Sequence, residues 1–147
     1  MERKLFIYTK GVIIFFNYGG SLQITIIMAD KILYVQSSGI DTPERLYAPF
    51  ILASTAVSMD IEATVYFLIK GITVVKKGEA EKIKIGSFPS LKEVMDQALQ
   101  AGVKLMVCEQ SCQLFGLDRG DFEDGANVVG AATLNDLLLE ADAVLSF

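Results

Sequence analysis

The chain of 147 residues contains no histidine. That removes the commonest metal ligand and the usual general base near neutral pH. Cysteine is nearly absent as well: Cys108 and Cys112 are the only two. Two thiols with three residues between them cannot enclose a tetrahedral zinc ion alone. So few do not make the disulfide framework of a secreted scaffold. The expectation is a cytoplasmic protein with free thiols that needs neither metal nor organic cofactor. Positive charge is short: 13 Lys and Arg stand against 18 Asp and Glu, for a net charge of −5. Sequence-independent nucleic-acid binding requires a basic footprint, and anionic membranes attract basic segments. Neither nucleic acid nor membrane is therefore an expected partner. Long apolar runs are lacking too, because the clusters near the start are too short and broken to span a bilayer.

What is present is a core-forming composition, with 52% hydrophobic and 21% charged residues. This suits a single globular domain with one substantial core. No internal repeat or low-complexity linker divides it. Residues 1–27 stand apart. They hold Arg3, Lys4 and Lys10 against Glu2, and apolar clusters at Val12–Phe16 and Ile24–Met28. Asn17-Tyr18-Gly19-Gly20-Ser21 interrupts the apolar stretch, and no clean signal-peptide cleavage pattern follows. Two readings remain: an extra β-hairpin turning at Tyr18–Ser21, or a mis-assigned start with the domain running over residues 28–147. Without those three bases and one acid, the net charge of −5 becomes −7.

From Lys31 strand-like and helix-like stretches alternate. Ile32–Gln36 is an apolar run that stops at Ser37-Ser38-Gly39. Thr42 as N-cap, Pro43 and Glu44 predict a helix reaching about Ser58, with Leu46, Phe50, Ala53 and Val57 on one face. Ala63–Ile69 is a β-branched and aromatic strand that ends at Lys70-Gly71. Gly71–Phe88 reads as a loop with at most a short helix or edge strand. Ser90 with Glu93 predicts a capping box, and Gly102 the end of that helix. Lys104–Val107 is a strand leading into Cys108, and Ser111–Leu117 a short helix. Asn127–Gly130 is a strand, and Thr133–Glu140 a helix opened by a Thr133/Asp136 box. Ala143–Phe147 is a final strand. The order predicts an α/β fold: a single-domain three-layer sandwich with a mostly parallel sheet of about five strands and right-handed crossovers.

In such a sheet, ligands collect at the carboxyl ends of the strands. Three loops should emerge there: Ser37–Asp41, Lys70-Gly71 and Cys108–Cys112. Ser37, Ser38 and Gly39 can offer hydroxyls and backbone N–H groups, Lys70 a positive charge, and Cys108 a thiolate favoured at a helix start. Together they suit an anionic sulfur species or a small oxyanion. Each has a plainer reading: cysteines are often small buried hydrophobes, serines turn residues, and Lys70 a solvated strand end. Cys112, one turn beyond Cys108, is expected on the same face, either to resolve an oxidised Cys108 or to pack beneath the helix. Asp118, Asp121, Glu123 and Asp124 lack the order of a calcium loop and read as a solvated acidic turn.

Residues 31–147 resemble the DsrE/DsrF-like family. The resemblance rests on Ile32–Val35 with Ser37-Ser38-Gly39-Ile40-Asp41, Arg45–Ser58, Val65-Tyr66-Phe67, Leu105-Met106-Val107-Cys108, Ser111–Leu117 and Leu134–Ser146. It implies a compact parallel α/β fold assembled as a homotrimer or homohexamer. It also implies a sulfur-carrier or sulfurtransferase role, in which Cys108 holds sulfane sulfur as a persulfide or thiosulfonate. The sulfur would pass to or from a small TusA-like or DsrC-like carrier protein. Cys112 is not common to all members. The alternatives are a thiol–disulfide redox protein using Cys108 and Cys112, in which an i, i+4 pair bridges poorly in a regular helix, and a non-catalytic oligomeric binding module.

Overall fold

The computed structural model describes residues 30–147 and, before them, the backbone of three strands. These are β1 (Leu5–Thr9), β2 (Val12–Phe16) and β3 (Gln23–Thr25), which pair antiparallel in that order. The turn expected at Tyr18–Ser21 lies outside the described residues.

From Lys31 the elements are β4 (Lys31–Gln36), α1 (Tyr47–Ser58), β5 (Glu62–Phe67), α2 (Leu91–Ala101), β6 (Lys104–Cys108), α3 (Glu109–Phe115), β7 (Ala126–Val129), α4 (Ala131–Glu140) and β8 (Ala143–Ser146). The five strands form one sheet of order β7-β6-β5-β4-β8, with every neighbouring pair parallel. The chain steps outward from β4 to β7, then returns past β4 to lay down β8. Because crossovers are right-handed, this reversal places α4 on the face opposite α1 and α2. The three-layer α/β sandwich expected from the sequence is the fold observed.

Successive side chains of a strand point to opposite faces. Tyr34, Val65, Phe67, Leu105 and Val107 pack with Phe50 and Ala53 of α1 and Leu91, Met95 and Ala98 of α2 in the main core. Burying each large side chain there contributes about 1.5–3 kcal/mol. The Phe50 and Phe67 rings, 5.9 Å apart at 35°, tie α1 to β5. On the other face Leu33, Tyr66 and Cys108 form a smaller cluster, against which Val129, Leu134 and Leu137 pack. That layer is thin, since α4 contributes no buried residue.

Local signals hold at α2, where Ser90 and Glu93 make the reciprocal capping box and Gly102 closes the helix at φ 102°. They fail at two helix starts. Thr42 does not cap α1: its hydroxyl donates back to the Gly39 carbonyl, and a 3-10 turn at Pro43–Arg45 intervenes before the helix begins at Tyr47. Thr133 does not open α4 either. The cap position is Gly130, without a side-chain bond, and Thr133 lies within the first turn. The stretch expected as a loop after Gly71 is partly core. Ile69–Val75 is a 3-10 segment that buries Gly71, Ile72, Val74 and Val75, so tertiary burial prevails over its weak local pattern.

Candidate functional site

Since β4, β5 and β6 are adjacent and parallel, the segments that follow them emerge side by side at one edge. Two glycines let them meet. A Cβ on Gly71 would fall 1.9 Å from the Gln36 carbonyl oxygen, and one on Gly39 would fall 2.7 Å from the Lys70 carbonyl oxygen. Only the absence of a side chain permits this mutual approach. An exposed ion pair, Lys70 Nζ to Asp41 Oδ2 at 2.7 Å, joins the first loop to the second. The Ile69 N–H donates to Ser111 Oγ at 2.8 Å and joins the second to the third.

The polar groups of the first two loops are largely committed to one another. The Ser37 and Ser38 N–H groups and the Ser37 hydroxyl all donate to the Phe147 carbonyl, at 2.9, 3.2 and 2.8 Å. Ser38 Oγ accepts from Arg45 at 3.4 Å. The Lys70 ammonium is held by Asp41, and its hydrogen bond keeps that carboxyl below the usual carboxylate range. Ser37, Ser38, Gly39 and Lys70 thus build the edge, and the groups that turn to the sulfur are others.

Cys108 is the last residue of β6 and the cap residue of α3, and it is 4% exposed. With seven residues, α3 is too short to rest the argument on its dipole. Individual hydrogen bonds matter more. Burial pushes the Cys108 thiol up, but the donors available to its ionised form, the Ser111 hydroxyl and N–H, the Tyr66 hydroxyl and the Gln110 N–H, outweigh it. The net result is a thiol held below its ordinary value. In the neutral state the thiol makes no regular cap bond and instead donates to Gln110 Oε1 at 3.6 Å. The Gln110 and Ser111 N–H groups occupy positions where a capping oxygen would accept, so they serve the ionised sulfur. Behind Ser111 stands Ile69, a β-branched residue at φ 57°. That left-handed conformation is strained for isoleucine, and the bond to Ser111 helps to hold it.

Cys112 packs with the main core, whereas Cys108 packs in the smaller cluster with Leu33 and Tyr66. The two thiols pack in different apolar clusters, and both are free. Burial, then the charge of Cys108, push the Cys112 thiol up. It lines an open cleft of ≈ 450 Å³ with Glu109, Gln113 and Arg119, the last paired to Glu109 at 3.3 Å. Among the described residues no group of three or more His, Cys, Asp or Glu could hold a metal ion. Asp118 and Asp121 cap a short 3-10 turn. No helix among the described residues is long and apolar enough to cross a membrane.

Tyr66, Ser111 and Gln110 were not among the residues the sequence singled out. Gln110 and Ser111 are the second and third residues of α3, which begins at Glu109 and not at Ser111 as the sequence suggested. Tyr66 carried only its hydroxyl in an otherwise apolar strand, and the register that brings it to Cys108 is nonlocal.

A thiol at the carboxyl edge of a parallel sheet, supported by hydroxyl and amide donors, defines a class of α/β thiol protein. The DsrE/DsrF-like family pattern matches residues 30–147, and the chain belongs to that family. It is 30% identical over 109 residues to an uncharacterised protein of Methanocaldococcus jannaschii, covering 74% of this chain but only 40% of that relative's length. A second uncharacterised protein of that organism is 31% identical over 107 residues, covering 71% of this chain and 88% of the relative. The sulfur carrier protein DsrE2 of Allochromatium vinosum is 26% identical over 139 residues, covering 67% of this chain and 87% of its own. In fold the chain is similar to the ychN protein of E. coli, with a TM-score of 0.68 at 19% identity, covering 80% of this chain and 99% of that one.

Proposed function

We propose that the chain is a sulfur carrier of the sulfur-relay type, with Cys108 as the carrying residue. The observation that bears most on this reading is the Cys108 thiol itself, set at the sheet edge and held below its ordinary value by surrounding donors. The family membership and the likeness to a sulfur carrier support it. The Cys108 thiolate attacks the outer sulfur of a donor persulfide, R–S–SH. A Cys108–S–SH bond forms, and R–S⁻ leaves. An acceptor thiolate then attacks the outer sulfur of Cys108–S–SH and releases the Cys108 thiolate, with no net oxidation. Both steps require a thiolate attacker and a competent leaving thiol. A thiosulfonate on Cys108 is a second form of the same cargo.

The partners proposed are a TusA-like or DsrC-like carrier protein and further copies of this chain, as a homotrimer or homohexamer in the cytoplasm. Leu138 and Leu139 of α4 and Val144 and Leu145 of β8 are exposed, an apolar band of the kind that subunits cover. With 4% of Cys108 exposed, sulfur delivery needs a small local opening over the site. The redox alternative is disfavoured because the two thiols lie in different apolar clusters.

Incubation with a sulfane donor followed by peptide mass spectrometry tests the reading. One added sulfur atom on the wild-type peptide, assigned to Cys108 by fragmentation, is expected, and none in Cys108→Ser. An unmodified Cys108 in the wild-type protein refutes it.

A further inference from the structure

Tyr66 is 0% exposed, and its hydroxyl has no hydrogen-bond partner of regular geometry. A buried hydroxyl without a partner destabilises the fold and calls for an explanation. Its position supplies one. Tyr66 on β5 stands in register with Met106 on β6, and Cys108 lies two residues further along the same face. On adjacent strands such a diagonal separation is about 8 Å between backbones, a gap that a tyrosine side chain spans. Tyr66 and Cys108 are accordingly packed in one cluster, with Leu33.

We infer that Tyr66 is a positioning residue for the sulfur chemistry, its hydroxyl being the donor kept in reserve for negative charge on Cys108. The inference rests on the sulfur-carrier reading and assigns the step that Tyr66 serves. In the neutral state the thiol turns to Gln110 Oε1, and the Tyr66 hydroxyl goes unused. Once the sulfur is an anion, it becomes the acceptor that the hydroxyl lacks. Burial and the charge of Cys108 both keep the Tyr66 proton in place, so it donates without being lost.

The asymmetry between the two transfer steps follows. In loading, a better-stabilised thiolate is more abundant but intrinsically less nucleophilic, and the two effects partly cancel. In unloading, Cys108 is the leaving group, and every stabilisation of its anion speeds departure. Tyr66 therefore favours release over uptake. Other charges around the sulfur are already committed. On α3, Glu109 is paired with Arg119, and burial pushes the Cys112 thiol up. On the 3-10 segment, Lys70 is paired with Asp41. On α4 and β7 the residues packed against the cluster are the apolar Leu134, Leu137 and Val129.

The test compares Tyr66→Phe with the parent, both in a Cys112→Ala background so that a single thiol reports. Alkylation by iodoacetamide is followed against pH. The persulfide, loaded from an inorganic polysulfide, is then discharged with cyanide, which takes the outer sulfur as thiocyanate and leaves the Cys108 thiolate. Tyr66→Phe is expected to move the alkylation profile to higher pH. It should slow thiocyanate release at neutral pH by roughly tenfold, the size of one hydrogen bond to a charged group. Thermal stability should be unchanged or raised, because the phenylalanine removes an unpartnered polar atom. An unmoved profile with unchanged release overturns the inference, as does a shift accompanied by loss of the fold. If neither protein ever loads sulfur, the carrier reading falls, while the alkylation profile still decides whether Tyr66 acts on Cys108.

Discussion

At the scale of residues, the two cysteines demonstrate how environment divides identical side chains. Both are nearly buried, at 4% and 5% exposure, yet their thiols are displaced in opposite directions. Cys108 is lowered because donors outweigh its burial, and Cys112 is raised because nothing does. A lowered thiol is ionised at a lower pH than the ordinary value of about 8.5, and a raised one at a higher pH. Alkylation followed by fragment mass analysis should therefore show Cys108 rising first as pH increases and Cys112 second. The reverse order would contradict the environments described. The position of Cys108 was legible in the sequence, since an apolar run ending in cysteine before a helix is a local pattern. The donor from Tyr66 was not, because a partner on the neighbouring strand depends on register. Nor was the commitment of Ser37 and Ser38 to Phe147, which is 110 residues from Ser37 along the chain.

At the scale of elements, the segment Ile69–Val75 departs furthest from expectation and holds the site's loops in place. Its glycine cannot be replaced quietly. Alanine at Gly71 would put a Cβ 1.9 Å from the Gln36 carbonyl oxygen, and rigid backbone on the other side must move. A loss of about 1–3 kcal/mol is expected for Gly71→Ala, the usual cost of overpacking. Denaturant unfolding measures it, and an unchanged midpoint would show that the close approach is not needed. The capped helix α2 was fully readable, from Ser90 and Glu93 at its start to Gly102 at its end. The starts of α1 and α4 were misjudged. A threonine hydroxyl has several backbone partners within reach, and which one it takes depends on the loop before it.

At the scale of the whole molecule, the alternation of strands and helices was enough to give the parallel sheet, but its order, β7-β6-β5-β4-β8, depends on nonlocal pairing that the alternation does not encode. The apolar band on α4 and β8 was less evident in sequence. Leu139, 86% exposed, looks like any helix leucine until the fold leaves it outside. Light scattering of the full chain should give a mass well above that of one copy. Leu139→Lys combined with Val144→Lys should shift it toward the monomer without unfolding it. A wild-type chain that runs as a monomer at all concentrations would remove this support for assembly.

The packing of the two thiols in different apolar clusters has a further consequence. A sulfur cargo on Cys108 is vulnerable to any second thiol that can reach it, because attack on the inner sulfur would eject the cargo and close a disulfide. Cys112 packs in the other apolar cluster, and burial and the charge of Cys108 push its thiol up, which makes it a poor attacker of the loaded residue. The chain can then keep a reactive cargo beside a spare thiol without short-circuiting, and discharge waits for an outside acceptor.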